Sequence, residues 1–261
     1  MEITENNSPK NTRNTNGKMN EVKPAPNSET APLTRLLRID TEHWKKYYFM
    51  QISLSGDIAK VLNGNRSPEE ETGGEIDEVF DTIIQQLREQ QVECKTSISL
   101  TSDGRFLLQI NPTIGTTDTV NNIFAESPEG EKVIEIHNHP VYEDPDTHTS
   151  SSYGFFSAPD LTGFAFRVDT RMAEAVVFEQ GTAILVKTPE SERIISNAIQ
   201  KTDMRKWAWT RLGNNLTEQF IREVPSDSYE ERRTFSINFA RKYAMRLLFI
   251  PNGSRKIEVL V

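Results

Sequence analysis

The chain has a single cysteine, Cys94, in 261 residues. That excludes an internal disulfide and any zinc site built on several thiolates, and it fits a reducing compartment. A metal bound by this chain must be held by histidine and carboxylate. Long apolar runs are also missing: no stretch reaches the ~18 residues that a membrane span needs, and the first residues lack the apolar centre of a secretory signal. The expectation is a soluble, cytoplasmic protein with no membrane partner. Apolar residues are sparse overall, at 36% with a mean hydropathy of -0.57, so part of the length contributes nothing to a core. The deficit is concentrated in residues 1–34, which are rich in Asn, Thr, Pro, Lys and Glu and read as a disordered tail.

Positive charge is in deficit, with 30 Lys and Arg against 38 Asp and Glu, net -8. That balance disfavours nucleic acid as a partner of the whole chain. The charge is uneven. Residues 190–261 carry 13 Lys and Arg against 9 Asp and Glu, net +4, which leaves 17 against 29, net -12, for the first 189. Solvated helix faces account for the tilt, and a basic docking surface for an acidic partner is the alternative.

No internal repeat is present. The segment WKKYYFMQISLSGDIAKVL mixes aromatic and β-branched residues with helix formers, so residues 35–74 have no firm assignment, and residues 67–78 read as an acidic surface loop. Next, Ile76, Val79, Phe80, Ile83, Ile84 and Leu87 recur at three- and four-residue steps and predict an amphipathic helix. ECKTSISLTSDGRFLLQI predicts a hairpin about Asp103-Gly104, EKVIEIHNH a strand, and AVVFEQGTAILVKT a second hairpin about Gln180-Gly181. A short helix is expected over residues 158–169. Beyond Pro189, helical spacing of Ile195, Ala198, Ile199, Ala208 and Leu212 points to a helix with Gly213 as its stop. Ser228-Tyr-Glu-Glu231 resembles a capping box opening another helix with Phe235, Phe239 and Tyr243 on one side, and a last pair of strands turns at Asn252-Gly253. The order of elements predicts an α+β domain over residues 75–189, with a mostly helical C-terminal extension over residues 190–261.

The chemistry is concentrated in Ile136-His137-Asn138-His139-Pro140 and, further on, Ser157-Ala158-Pro159-Asp160. Two histidines separated by one residue at a strand end project from the same face and can share a metal. Pro140 ends the ladder and puts the imidazoles at the rim of the sheet. Asp160 is a candidate third ligand, since three protein ligands with an open position is the pattern of catalytic zinc. Taken singly, each motif has an ordinary explanation. A His-x-His pair is commonly two unrelated histidines, and Ser-x-x-Asp is commonly a capping box.

Together, HNHP followed by SxxD resembles the JAMM metalloprotease motif of JAB/MPN+ domains, most of all the RadC-like and mobile-element branch. The resemblance covers residues 76–189. It implies a cytidine-deaminase-like sheet with flanking helices, one zinc ion on His137, His139 and Asp160, a glutamate as general acid/base, and Ser157 as a helper of the oxyanion. The family places its glutamate on a strand after the first helix, which points to Glu93. Glu135 is the second candidate because it shares the face of the histidines, whereas Glu126, Glu129 and Glu131 read as members of a polar loop. The interval of residues 141–156 is longer than the family's usual spacing. It reads as a flap over the cleft that touches substrate, and the alternative is that its His148 or Asp146 joins a metal as an extra ligand or as a latch. Cys94, without a paired base, reads as a buried packing residue.

The expected activity is hydrolysis of a peptide or isopeptide bond, with a ubiquitin-like protein tail among the implied substrates. Two alternatives stand beside it: a non-catalytic MPN-like scaffold, and a RadC-like accessory protein of DNA metabolism that uses its basic C-terminal region.

Overall fold

The computed structural model describes residues 36–40, 46–54, 56–62, 74–110, 112–115, 130–143, 150–166, 171–200 and 205–261. The expected tail at 1–34, residues 67–73 of the acidic loop, and Glu126, Glu129, Asp144, Asp146 and His148 lie outside them. The elements run β1 (Leu36–Asp40), β2 (Lys46–Ile52), α1 (Gly56–Leu62), α2 (Glu78–Arg88), β3 (Cys94–Thr101), β4 (Phe106–Gln109), β5 (Thr113–Ile114) and β6 (Gly130–Asn138). There follow β7 (Val141–Glu143), β8 (Ser150–Ser152), α3 (Ala158–Phe166), β9 (Ala173–Phe178) and β10 (Gly181–Val186). The chain closes with α4 (Pro189–Gln200), α5 (Arg205–Glu223), α6 (Tyr229–Lys242), β11 (Arg246–Pro251) and β12 (Glu258–Val259).

Among the described residues one open sheet of ten strands takes the order β1-β2-β4-β3-β6-β9-β10-β11-β12, with β5 beside β3. Both expected hairpins form. Gly104, at φ 82°, supplies the left-handed turn between β3 and β4, and a two-residue loop joins β9 to β10, pairing Phe178 with Gly181. The central pair β6 and β9 is parallel, with Ile136 opposite Ala175 and His137 opposite Val176. Parallel neighbours require a crossover, and α3 lies within it.

Alternation along the central strands divides the buried residues into two cores. On one face Ile98, Ile134, Ile136, Val177 and Ile184 pack with Ile58 and Leu62 of α1 and with Phe80, Ile83, Ile84 and Leu87 of α2. Asp77 caps α2 by accepting from the Phe80 N–H at 2.9 Å. On the other face Val176, Phe178, Leu185 and Leu247 meet Leu161 and Phe164 of α3, Leu216 of α5, and Phe235 and Phe239 of α6. Helices therefore cover both faces of a mixed sheet.

Three expectations change. Residues 190–261 are not an appendage: their helices contribute to the second core, and β11 pairs with β10 along its whole length. Glu131 belongs to β6, not to a loop. The expected helix over 158–169 is present from Ala158 to Phe166, and its last residues lie outside the described ones. Gly213 does not stop a helix but sits inside α5. The physical reason is close approach, since a Cβ at Gly213 would lie 2.7 Å from the Thr162 Cγ2 of α3. Helix propensity alone favours Gly213→Ala by about 1 kcal/mol. Overpacking opposes it, so this substitution should lower stability by about 1 to 3 kcal/mol, and adding Thr162→Ser should restore most of the loss. Urea denaturation of the single and double variants measures both effects.

Candidate metal centre

His137 lies at the carboxyl end of β6 and His139 immediately follows it, beside the end of the parallel strand β9. The His139 N–H donates to the Val177 carbonyl at 2.7 Å, and Pro140, with no N–H, ends the pairing. Directly across the crossover stands the N-terminus of α3. Its capping box is reciprocal: the Asp160 N–H donates to Ser157 Oγ at 3.3 Å, while Ser157 N–H and Oγ–H both donate to Asp160 Oδ2, at 2.7 and 2.6 Å. The box fixes the Asp160 carboxylate and leaves Oδ1 facing His137. Upstream, Phe155 has φ 57°, an unfavourable conformation for a bulky residue. Packing of its ring against Phe178, Tyr229 and Phe249 holds it there.

The three expected ligands converge. His137 Nε2 lies 3.3 Å from His139 Nε2 and 3.4 Å from Asp160 Oδ1, His139 Nε2 lies 3.5 Å from Asp160 Oδ2, and the donor atoms all fall within 4.8 Å of one another. Nitrogen and oxygen donors of this kind, brought together from two elements, could hold a divalent cation. The His139 ring is oriented from behind, because its Nδ1 lies 2.8 Å from the Tyr153 carbonyl. That contact requires a proton on Nδ1 and leaves the Nε2 lone pair free for a cation. The imidazoles are less open to water than a rim position suggests. The His137 side chain is 2% exposed and that of His139 10%, so access comes from the side of His139 and Asp160.

Without a cation the triad is held by charge. Burial opposes a protonated His137, but the carboxylates of Asp160 and Glu174 outweigh it and push its pKa up to about 9. Burial likewise favours a neutral Asp160, yet His137 and His139 hold its carboxyl well below the ordinary value. A cation must therefore displace a proton from His137.

Glu93 immediately precedes β3, and β3 pairs antiparallel with β6 so that Lys95 faces His137. The carboxyl of Glu93 is buried, and burial raises its pKa against the opposing influence of His137 and His139. Asn138, between the two histidines, anchors this segment: its Oδ1 accepts from the Cys94 N–H at 2.6 Å, and its Nδ2 donates to the Val92 carbonyl at 3.2 Å. Cys94 is fully buried in the α2-side core.

Glu135 is differently placed. Its carboxylate takes Lys95 at 2.6 Å, Arg171 at 3.0 Å and Lys132 at 3.1 Å. Burial would raise its pKa, but the three cations outweigh that and hold it down to about 2, so it is a poor proton acceptor. Arg171 also reaches Glu174 at 3.4 Å and the Gly163 carbonyl of α3 at 3.3 Å. The helix bearing Asp160 and the strand bearing the histidines thus share one guanidinium.

Asn138, Arg171 and Glu174 were not singled out from sequence. Glu174 carried a signal nonetheless, as the one charged residue in the apolar run Ala173–Phe178. Models of known protein families, curated proteins and solved structures yield no match to this chain.

Two outcomes are expected. Binding of a divalent cation at pH 7 should release a proton, because His137 is protonated below about 9 in the metal-free site. Affinity should accordingly fall as pH is lowered, and calorimetry in buffers of different ionisation enthalpy counts the proton. The stability contributed by Glu135 should be complete above the unfolded-state pKa of 4.5 and lost as pH falls towards about 2. Glu135→Gln should cost about 3 to 5 kcal/mol at neutral pH and flatten that acid limb in denaturant titrations.

Proposed function

We propose that this chain is a zinc-dependent metallopeptidase of isopeptidase type, JAMM-like in its site and JAB/MPN-like in its central architecture. The observation that carries the reading is the convergence of His137, His139 and Asp160, from β6 and α3, on one small volume. The donor chemistry fits zinc, since two imidazoles and one carboxylate leave a fourth position open, as catalytic sites do. A zinc ion held there supplies Lewis acidity to a substrate carbonyl and lowers the pKa of water at the site from 15.7 towards about 7.

The protein's own groups do the rest. Glu93, beside the triad, accepts the proton of the attacking water and returns it to the leaving amine. Its burial favours the protonated form, which suits the second half of that exchange. Ser157 first orients Asp160 through the capping box. When its hydroxyl turns from Asp160 to the developing oxyanion, it becomes a stabilising donor. The substrate is an extended peptide or an isopeptide-linked tail, including that of a ubiquitin-like protein, as the motif resemblance implies.

The non-catalytic scaffold remains the second reading, favoured by one observation: the Ser157 proton is directed to Asp160. Metal analysis and hydrolysis assays on linear and isopeptide-linked ubiquitin-like fusions separate the two. The expected result is about one zinc per chain in wild type and in Glu93→Gln, with turnover lowered by about 100 to 10,000-fold in the latter, and loss of both zinc and turnover in Asp160→Asn. Stoichiometric zinc with no hydrolysis of any fusion would favour the scaffold.

A further inference from the structure

The two histidines differ in what stands behind them. His139 Nδ1 meets the Tyr153 carbonyl at 2.8 Å, so its tautomer and ring plane are set. His137 Nδ1 is buried and makes no hydrogen bond among the described residues, although a buried ring nitrogen is seldom left without a partner. The group that faces it is the carboxylate of Glu174, whose Oε1 stands 3.8 Å away. That separation exceeds a hydrogen bond, which closes at about 2.7 to 3.2 Å, by a small adjustment.

Glu174 is built for this position. It lies on β9 opposite Glu135 and two residues before Val176, the register partner of His137, so its side chain emerges on the face of the imidazole. Its side chain is 5% exposed. Oε2 is directed to Arg171 Nη1 at 3.4 Å, and Arg171 is itself tied to Glu135 at 3.0 Å and to the Gly163 carbonyl. One carboxylate oxygen is thus engaged by a guanidinium and the other is presented to His137.

We infer that Glu174 is the positioning residue of the metal centre, the outer carboxylate that receives the Nδ1–H of His137 and commits Nε2 to the cation. The inference rests on the metal-site reading above. Metal-bound histidines generally donate their second ring N–H to a carboxylate, carbonyl or water, and loss of that partner costs about 10 to 100-fold in metal affinity. In this site a carbonyl serves His139 and a carboxylate serves His137. The carboxylate makes its imidazole the more strongly donating of the two ligands. Through Arg171 it also links the orientation of His137 to the seating of α3, and so to Asp160.

Zinc titration of the metal-free full chain against a chromophoric chelator, with 15N NMR of the histidine rings, tests the inference. Glu174→Gln, which keeps an acceptor oxygen, should bind zinc within a few-fold of wild type, and Glu174→Leu should bind about 10 to 100-fold more weakly. In zinc-loaded wild type, His137 should show a protonated Nδ1, assigned by its loss in His137→Gln. Wild-type zinc affinity in Glu174→Leu, or a His137 ring that carries its proton on Nε2, would overturn the role of Glu174 while leaving the metal site intact. Should Glu174→Leu fail to fold, the ring protonation in the wild type decides alone. A wild-type chain that takes no zinc overturns the metal-site reading, and this inference with it.

Discussion

Parallel strands cannot be joined by a tight turn, and the site depends on that constraint. Because β6 and β9 run side by side in the same direction, the chain must travel back across the sheet between them. The return path passes through the small ribbon of β7 and β8 and then through α3. It therefore delivers a helix N-terminus to the carboxyl end of the strand that has just presented two histidines. Crevices beyond the carboxyl ends of parallel strands are where open α/β sheets commonly bind ligands. Here the crossover supplies one half of a candidate ligand set and the strand and its end the other.

Electrostatics determines how firmly the two halves are joined. Arg171, Glu135 and Glu174, with the half-buried Lys95 and Lys132, form an ion cluster beside the histidines. Buried ion pairs of this kind add little net stability compared with apolar packing, because desolvation offsets much of the attraction. Breaking one is nonetheless costly, and that asymmetry gives the cluster its value as a positioning device. Arg171 contacts β6, β9 and a carbonyl of α3 at once, so displacement of any one of the three leaves charge uncompensated. The network keeps Glu135 ionised and turned away from proton transfer, while Glu93 at the edge of β3 is kept in a less polar setting that raises its pKa. Two glutamates near one site are separated in character by their surroundings.

Local sequence signals read well where short-range chemistry decides. Asp103-Gly104 marks a turn because Gly104 takes the left-handed backbone there, Gly181 follows the second turn as the first residue of β10, where a Cβ would meet the Ile250 carbonyl, and Ser228 caps α6 by accepting from the Glu231 N–H. The stripe of Phe80, Ile83, Ile84 and Leu87 reads as a helix because it is one. Gly213 misleads for an instructive reason. In isolation glycine weakens a helix, but between α3 and α5 the missing side chain is what admits Thr162. The Ser-x-x-Asp motif is equally telling, since its capping function and its presentation of a candidate ligand are the same set of hydrogen bonds.

The sequence by itself narrowed which residues could bear the chemistry: a lone cysteine leaves histidine and carboxylate as donors, and the closely spaced His137 and His139 stand out among four histidines. Strand alternation placed those histidines on one face, because the period of two is a property of the backbone. Tertiary structure decided everything that depends on separate segments meeting. Only the folded sheet brings Asp160 to the histidines, engages Glu135 with three cations, joins residues 246–251 to β10, and sets Glu174 behind His137. Those contacts arise from strand order and helix packing, which bring together residues that no local pattern relates.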